Sequence, residues 1–351
     1  MSIESTLLWS LIVIFGIVAG TYMVYGAWRA RSAWRLRRAG PRRLRPARDV
    51  LWRDPGDVAT FDFAAGPGGT DGAPAPPFDF IEEHFSGSNP SLSVRDARDR
   101  RWRVKWGDEV NSETFAVRIA WACGYFAETT HYIARGTIGG ARDLQRAAVC
   151  LDEHQGFSSA RFELDDPQVR KLFEEHSWAW NDNPFVGSRE LQGLKILNML
   201  LSNWDTKDCR DVARGSNTAI FEHDTSSGRE AQYLISDWGG SMGSWGATII
   251  TRARWDAAGF EAQTPQFITS VTEDGIVKFG YAGQRTEDIA TGITIDDVRW
   301  LCARLDPLSD AKIEAALEAS GATPDERATF SRSLRDRIGQ LSRACAPATR
   351  S

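Results

Sequence analysis

A short stretch of this chain carries polar side chains of the types and spacing that phosphoryl transfer requires. A Leu-rich run, LKILNMLLS, ends in Asn203, Trp204 and Asp205; Lys207, Asn217 and, in QYLISDWGG, Asp237 follow in order. Moving a phosphoryl group needs an acidic group beside the acceptor hydroxyl, and an amide with a second carboxylate to hold Mg²⁺. Hard oxygen ligands of this kind suit that ion. Asp205 is the candidate to orient and deprotonate the acceptor, and Asn217 with Asp237 the candidate metal pair. Each has a plainer role open to it: Asp205 as a turn or helix cap, Asp237 as an Asp-x-Gly turn. It is the order of the set that points to a site.

The elements that must position these groups begin upstream. SLSV and RWRVKW each alternate apolar with polar residues around the charged turn RDARDR, which predicts a β-hairpin. Just before it, SGSNPS is a small polar loop whose backbone N–H groups at Ser86, Gly87 and Ser88 could cradle phosphate oxygens. Lys105 follows Val104 on the second strand, so it points to the face opposite Val104 and Trp106. The next segment, SETFAVRIAWACG, reads as a helix with Glu113 in its first turn and Gly124 as its stop. Glu113 is the expected partner that holds Lys105 toward the nucleotide phosphates, with Glu109 the rival.

Composition narrows the alternatives. The chain has 351 residues and a net charge of −5, enough for a domain of about 250 residues and a separate leader. Its pI of 5.7 argues against nucleic acid as a partner. Cys123, Cys150, Cys209, Cys302 and Cys345 have no CxxC or zinc spacing and do not form a disulfide framework. His84, His131, His154, His176 and His223 are scattered without ligand spacing, and no GxSxG occurs.

Residues 6–28 carry no charge, and at about 1.5 Å per residue they are long enough to cross a bilayer with some tilt. Nine Arg follow over residues 29–48. The positive-inside rule then puts the N-terminus outside and the rest in the cytoplasm. The basic flank follows the apolar run instead of preceding it, the reverse of a cleaved signal peptide. The expected organisation is a transmembrane anchor at 1–28, an Arg-rich juxtamembrane segment and Gly/Pro-rich linker at 29–78, a small β-rich lobe at 79–175, a mainly helical lobe at 176–345, and a tail at 346–351. Within the linker, LWRDPGDVATFDF has enough apolar content to pack on the domain. From residue 295 onward the pattern predicts two or three amphipathic helices.

With these residues in view, the chain resembles the HipA-like branch of the protein-kinase-like superfamily, which is itself similar to phosphatidylinositol kinases. The branch places a glutamate, with four residues between, ahead of an Arg-Leu-Ala run that leads after three more residues to Gly; here Glu113, Arg118, Ile119, Ala120 and Gly124 match, with Ile119 in place of Leu. Its catalytic loop, Asn-x-Asp and then a nearby asparagine, corresponds to Asn203, Asp205 and Asn217, and its metal aspartate to Asp237. The similarity covers about residues 80–245. The chain also resembles bacterial proteins that share its NWDxKDxRD and DWG segments. Two departures stand out: twelve residues separate Asp205 from Asn217 where the family has about five, and no His lies between. Asp208 and Asp211 are therefore alternative metal ligands. Lys207 falls as in the Asp-x-Lys of ordinary protein kinases, a position implying contact with the transferred phosphate.

The resemblance implies an α+β, two-lobed protein-kinase-like fold that uses ATP and Mg²⁺ to phosphorylate a protein hydroxyl at the bacterial inner membrane. A pseudokinase scaffold that binds nucleotide and a membrane partner without turnover is the alternative. A lipid or small-molecule kinase is a third, for which Lys207, Arg210 and Arg214 would supply headgroup cations.

Overall fold

The alternation in SLSV and RWRVKW is realised as an antiparallel hairpin, β3 (Ser91–Arg95) and β4 (Arg101–Lys105), in a computed structural model of the chain. The structure describes residues 47–346, apart from 86, 168, 172–177, 206–216, 247, 249 and 284–285. The expected anchor at 1–28 and most of the Arg run lie outside the described residues. Among the described residues no helix is long and apolar enough to cross a membrane.

The hairpin is part of a closed barrel with β2 (Phe78–His84), β5 (Thr130–Gly139) and β6 (Gly156–Leu164). Around the barrel the order is β2-β3-β4-β6-β5, with β5 closing on β2 in parallel. Alternate residues of β4 turn inward, so Trp102 and Val104 are buried with Leu92, Val94, Phe157 and Phe162, while Arg101, Arg103 and Lys105 face outward. Closure leaves no unpaired edge among these strands.

Helices and a second sheet give the fold its α+β character. Ahead of the barrel, β1 (Arg48–Val50) and a single helical turn, α1 (Gly69–Gly72), lie in a segment that wraps the domain. After β4 comes α2 (Val110–Ala122), buried on nearly every side. Its chain reverses at Gly124, whose φ is +88° and where a Cβ would meet the Arg53 carbonyl at 2.3 Å. The Leu-rich run is α3 (Arg189–Leu200), started by Ser188, whose hydroxyl accepts the Leu191 N–H. Gly193 lets α3 approach its neighbours: a Cβ there would lie 2.4 Å from Trp300.

The second sheet has the order β1-β9-β8-β7, built on the hairpin of β8 (Thr218–Thr225) and β9 (Gly228–Ile235), with β7 (Arg170–Lys171) at one edge. The remaining elements are α4 (Ala257–Gln263), the small hairpin β10 (Ile268–Val271) and β11 (Val277–Phe279), and α5 (Thr286–Ala290). Among the described residues three helices follow: α6 (Ile295–Leu305), α7 (Asp310–Ala319) and α8 (Pro324–Ala344). Thr294 and Thr323 form capping boxes with Asp297 and Glu326, so the sequence starts of α6 and α8 are well marked.

The stretch expected as a linker is structured from residue 47 on. β1 pairs in parallel with β9, Arg48 and Arg53 both reach the buried Glu230, and Leu51, Val58 and Phe63 join the main core. The Lys312 ammonium donates to the carbonyls of Val58, Ala59 and Phe61. The packing of Leu51, Val58 and Phe63 is what the apolar content of LWRDPGDVATFDF led one to expect, whereas the pairing of β1 with β9 and of Arg48 and Arg53 with Glu230 depends on partners far along the chain.

Candidate active site

On the helical side of the site, α3 ends in a tight reversal. Ser202 takes a φ of +56°, and the Asn203 N–H donates back to Asn198 O. Asn203 is buried and locked: its carbonyl accepts from Tyr281 Oη at 2.6 Å and Asn198 Nδ2 at 3.0 Å, and its own Oδ1 accepts the Asp205 N–H at 3.3 Å. Its Nδ2 reaches the Asp237 carbonyl at 3.4 Å, which ties the two loops together. Asp205 is thereby left half-buried with its backbone held on both sides.

The β8–β9 hairpin brings in the next two residues. Thr218 pairs with Ile235 across the ladder, so Asn217 and Asp237 leave the same end of the hairpin, joined by the Ser236 N–H donating to Asn217 O. Asn217, at a φ of +70°, donates its side-chain amide to the Asp205 carbonyl. The twelve-residue gap in the sequence therefore closes in space. Asp237 accepts the Gly239 N–H on Oδ1 at 2.9 Å. Burial raises its pKa, and the charges of Glu109 and Asp205 add to the rise against the pull of Lys105. Gly239 and Gly240 are required by contact: a Cβ on the first would lie 2.8 Å from Glu109, and on the second 2.8 Å from Asn203.

On the barrel side, Lys105 pairs with Glu109 at 2.6 Å, and Glu109 is shared with Arg254. Glu113, expected to hold Lys105, instead pairs with Arg161 of β6, which also binds Glu163 at 2.7 Å. The register explains this correction. Arg161 is the direct neighbour of Lys105 across β4 and β6, so two cations compete for the acids of α2. Glu109, at the start of the helix, serves the nearer strand end, and Glu113 one turn on serves Arg161. Glu109 remains ionised below the ordinary carboxylate range: Lys105 and Arg254 outweigh the opposing effect of burial. Carboxylate oxygens of Glu109, Glu113 and Asp237 lie within 4.8 Å of one another.

Of the remaining expected residues, Gly87 and Ser88 lie on the exposed loop between β2 and β3, and Ser86 is outside the described residues. Lys207, Asp208, Arg210, Asp211 and Arg214 also lie outside them. Sequence reading missed Arg161 and Arg254, and also Arg337. The last is a fully buried guanidinium that donates to Leu200 O at 3.0 Å, Ser202 Oγ at 2.7 Å, Thr264 Oγ1 at 3.0 Å and Phe260 O at 2.9 Å. It caps the carbonyl end of α3 just before Asn203. Arg252 and Arg254 both stack on Trp204, at 4.1 and 5.1 Å from its ring. The only sequence signal for Arg252 and Arg254 was their place shortly after the DWG segment.

No protein-family model matches the chain, and no curated protein matches it. Among solved structures it is similar to the Helicobacter pylori proinflammatory kinase CtkA, at 14% identity over 78% of this chain and 97% of that one, with a TM-score of 0.44. The Golgi casein kinase shares 9% identity over 83% and 77% of the two chains, with a TM-score of 0.36. The Rio2 kinase of Chaetomium thermophilum, in a complex with ADP/Mg²⁺ and phosphoaspartate, shares 12% identity over 74% and 72%, with a TM-score of 0.26. Scores this low leave the functional reading to the residues themselves.

Proposed function

We propose that this chain is a phosphotransferase of protein-kinase-like, two-lobed fold that moves the γ-phosphate of ATP to a hydroxyl with the help of Mg²⁺. One observation carries the reading: Lys105 and its acid partner on the barrel side meet Asp205, Asn217 and Asp237 on the helical side. Phosphoryl transfer needs little covalent chemistry from a protein; it needs positioning and neutralisation of charge.

The residues fit a hard divalent cation. Asp237 gathers near Glu109 and Glu113, and Glu113 keeps a buried oxygen, Oε2, that receives no hydrogen bond. All of these donors are oxygen, the preference of Mg²⁺. Asp237 would hold the ion, with Asn217 beside it, and the bound ion would neutralise charge on the phosphates. Lys105, fixed by Glu109, supplies a positive charge at the mouth of the barrel. Asp205, fixed by Asn203 and Asn217, accepts the proton of the acceptor hydroxyl as the new bond forms.

In this reading the acceptor is a protein hydroxyl, and the uncharged run at 6–28 with its Arg-rich flank anchors the enzyme to the cytoplasmic face of a membrane. A second reading, a scaffold that binds nucleotide without turnover, is favoured by the pairing of Glu113 with Arg161. Incubating the full chain with Mg²⁺ and ATP labelled separately at the α and γ phosphates decides between them. Covalent γ label on protein supports the proposal, and α label would mean nucleotidyl transfer. Label that appears only in added phospholipid vesicles would move the acceptor to a lipid. Nucleotide binding with no label in any arm would favour the scaffold.

A further inference from the structure

Arg146 is a cation with no part in the site built above, and its hydrogen bonds converge on one loop. It lies in the connection between β5 and β6 and donates to Phe85 O at 3.0 Å, Gly87 O at 3.1 Å and Ser88 O at 2.8 Å. The turn that carries it is itself pinned, because the Glu83 carboxylate accepts the N–H groups of Gln145 at 2.8 Å and Ala147 at 2.7 Å. Burial alone would raise the Glu83 pKa, but these backbone bonds and the charge of Arg146 together outweigh it and hold the pKa below its usual value.

In a planar trans peptide the C=O and the following N–H point in opposite directions. Gathering the carbonyls of Gly87 and Ser88 onto one guanidinium therefore turns the N–H groups of Ser88 and Asn89 away from it, side by side. Gly87 permits this with a φ of +86°. Two successive N–H groups so aligned form an anion-binding nest. Among the described residues, neither donates to a protein acceptor. The loop also lies next to Lys105. Asn89 packs on Gly107, where a Cβ would come within 2.8 Å of its Oδ1, and Ser91, which begins β3, is the ladder partner of Lys105.

We infer that Arg146 is a positioning residue: it holds the 87–89 loop so that its N–H groups receive the phosphates of a nucleoside triphosphate. This rests on the phosphotransferase reading. The planar fork spreads these bonds over two nitrogens, Nη1 to Phe85 O and Nη2 to Gly87 O and Ser88 O, a spacing that the single ammonium nitrogen of lysine does not reproduce.

The test uses the full chain as wild type, Arg146→Ala, Arg146→Lys and Gly87→Val, with calorimetric titration of Mg-ATP, Mg-ADP and adenosine alongside thermal melts. For all three variants the expected result is a rise of about tenfold or more in Kd for ATP and ADP. The adenosine Kd should stay within about twofold, and the melting temperature should be nearly unchanged. A purely structural arginine would weaken adenosine equally or lower the melting temperature, and either result overturns the inference. Wild-type and variant chains that bind ATP alike overturn it too, while leaving the phosphotransferase reading intact. A wild type that binds no adenine nucleotide overturns both.

Discussion

Lys105 and Arg161 stand opposite each other on neighbouring strands, where like charges repel unless acids separate them. Glu109 and Glu113 do so, one for each cation, and the division gives them different expected phenotypes. Glu109→Gln should raise KM for ATP about tenfold with a small effect on stability, because it frees a partly exposed lysine. Glu113→Gln should cost more, about 1.5–3 kcal/mol in chemical denaturation, because it removes one of the two carboxylates that pair with Arg161, which is only 4% exposed, and leaves Glu163 alone to compensate it. Steady-state kinetics and urea unfolding of the two variants check the contrast. At this scale the sequence named both acids but not their assignment. Spacing along the chain puts either within reach of Lys105, and the competitor, Arg161, arrives from a strand more than fifty residues on.

Among the elements, the end of α3 and the end of the β8–β9 hairpin do the positioning. Arg337 holds the first of these. Arg337→Ala removes a guanidinium that serves Leu200, Ser202, Thr264 and Phe260, leaving several buried polar groups unpaired at about 1–3 kcal/mol each. A fall of several degrees in melting temperature is expected. Arg337→Met, which fills the volume, should lose less stability yet still impair turnover, since the reversal before Asn203 loses its tie. Comparing melts with kcat for the two variants tests this. The β3–β4 hairpin and the C-terminal helices were legible, because alternation, helical periodicity and capping residues are local signals. β1 was not, since a three-residue parallel strand is recognisable only from its partner β9. The buried Arg118, Arg161 and Arg337 were illegible for a related reason: an arginine in a periodic pattern ordinarily marks the solvated face.

For the whole molecule, a closed barrel and a helical body meet around the acids and cations of the site, and the barrel carries a built-in acid sensitivity. His131 is buried against Trp102 with Nε2 unbonded. Burial, with Arg118 and Arg100 nearby, lowers its pKa from 6.5 to about 4. The folded protein thus binds this proton less well than the unfolded chain does. The stabilisation is complete above about pH 6.5 and is lost as the pH falls toward about 4, to the extent of about 3 kcal/mol. His131→Phe should flatten that limb of the stability profile, as measured by urea unfolding from pH 4 to 7. The α+β composition and the order barrel first, helices later were legible from the strand and helix patterns. Barrel closure was not, because the parallel pairing of β2 with β5 joins strands about fifty residues apart.

The central claim is that Asp205 acts on the acceptor hydroxyl while the other site residues hold the nucleotide. The direct measurement is γ-phosphate transfer and Mg-ATP affinity on the same preparations of wild-type and Asp205→Ala full chain. The expected result is a loss of transfer of roughly 10²–10⁴-fold with the ATP Kd unchanged within about twofold. Transfer that survives the substitution, or affinity that falls in step with it, would contradict the assignment.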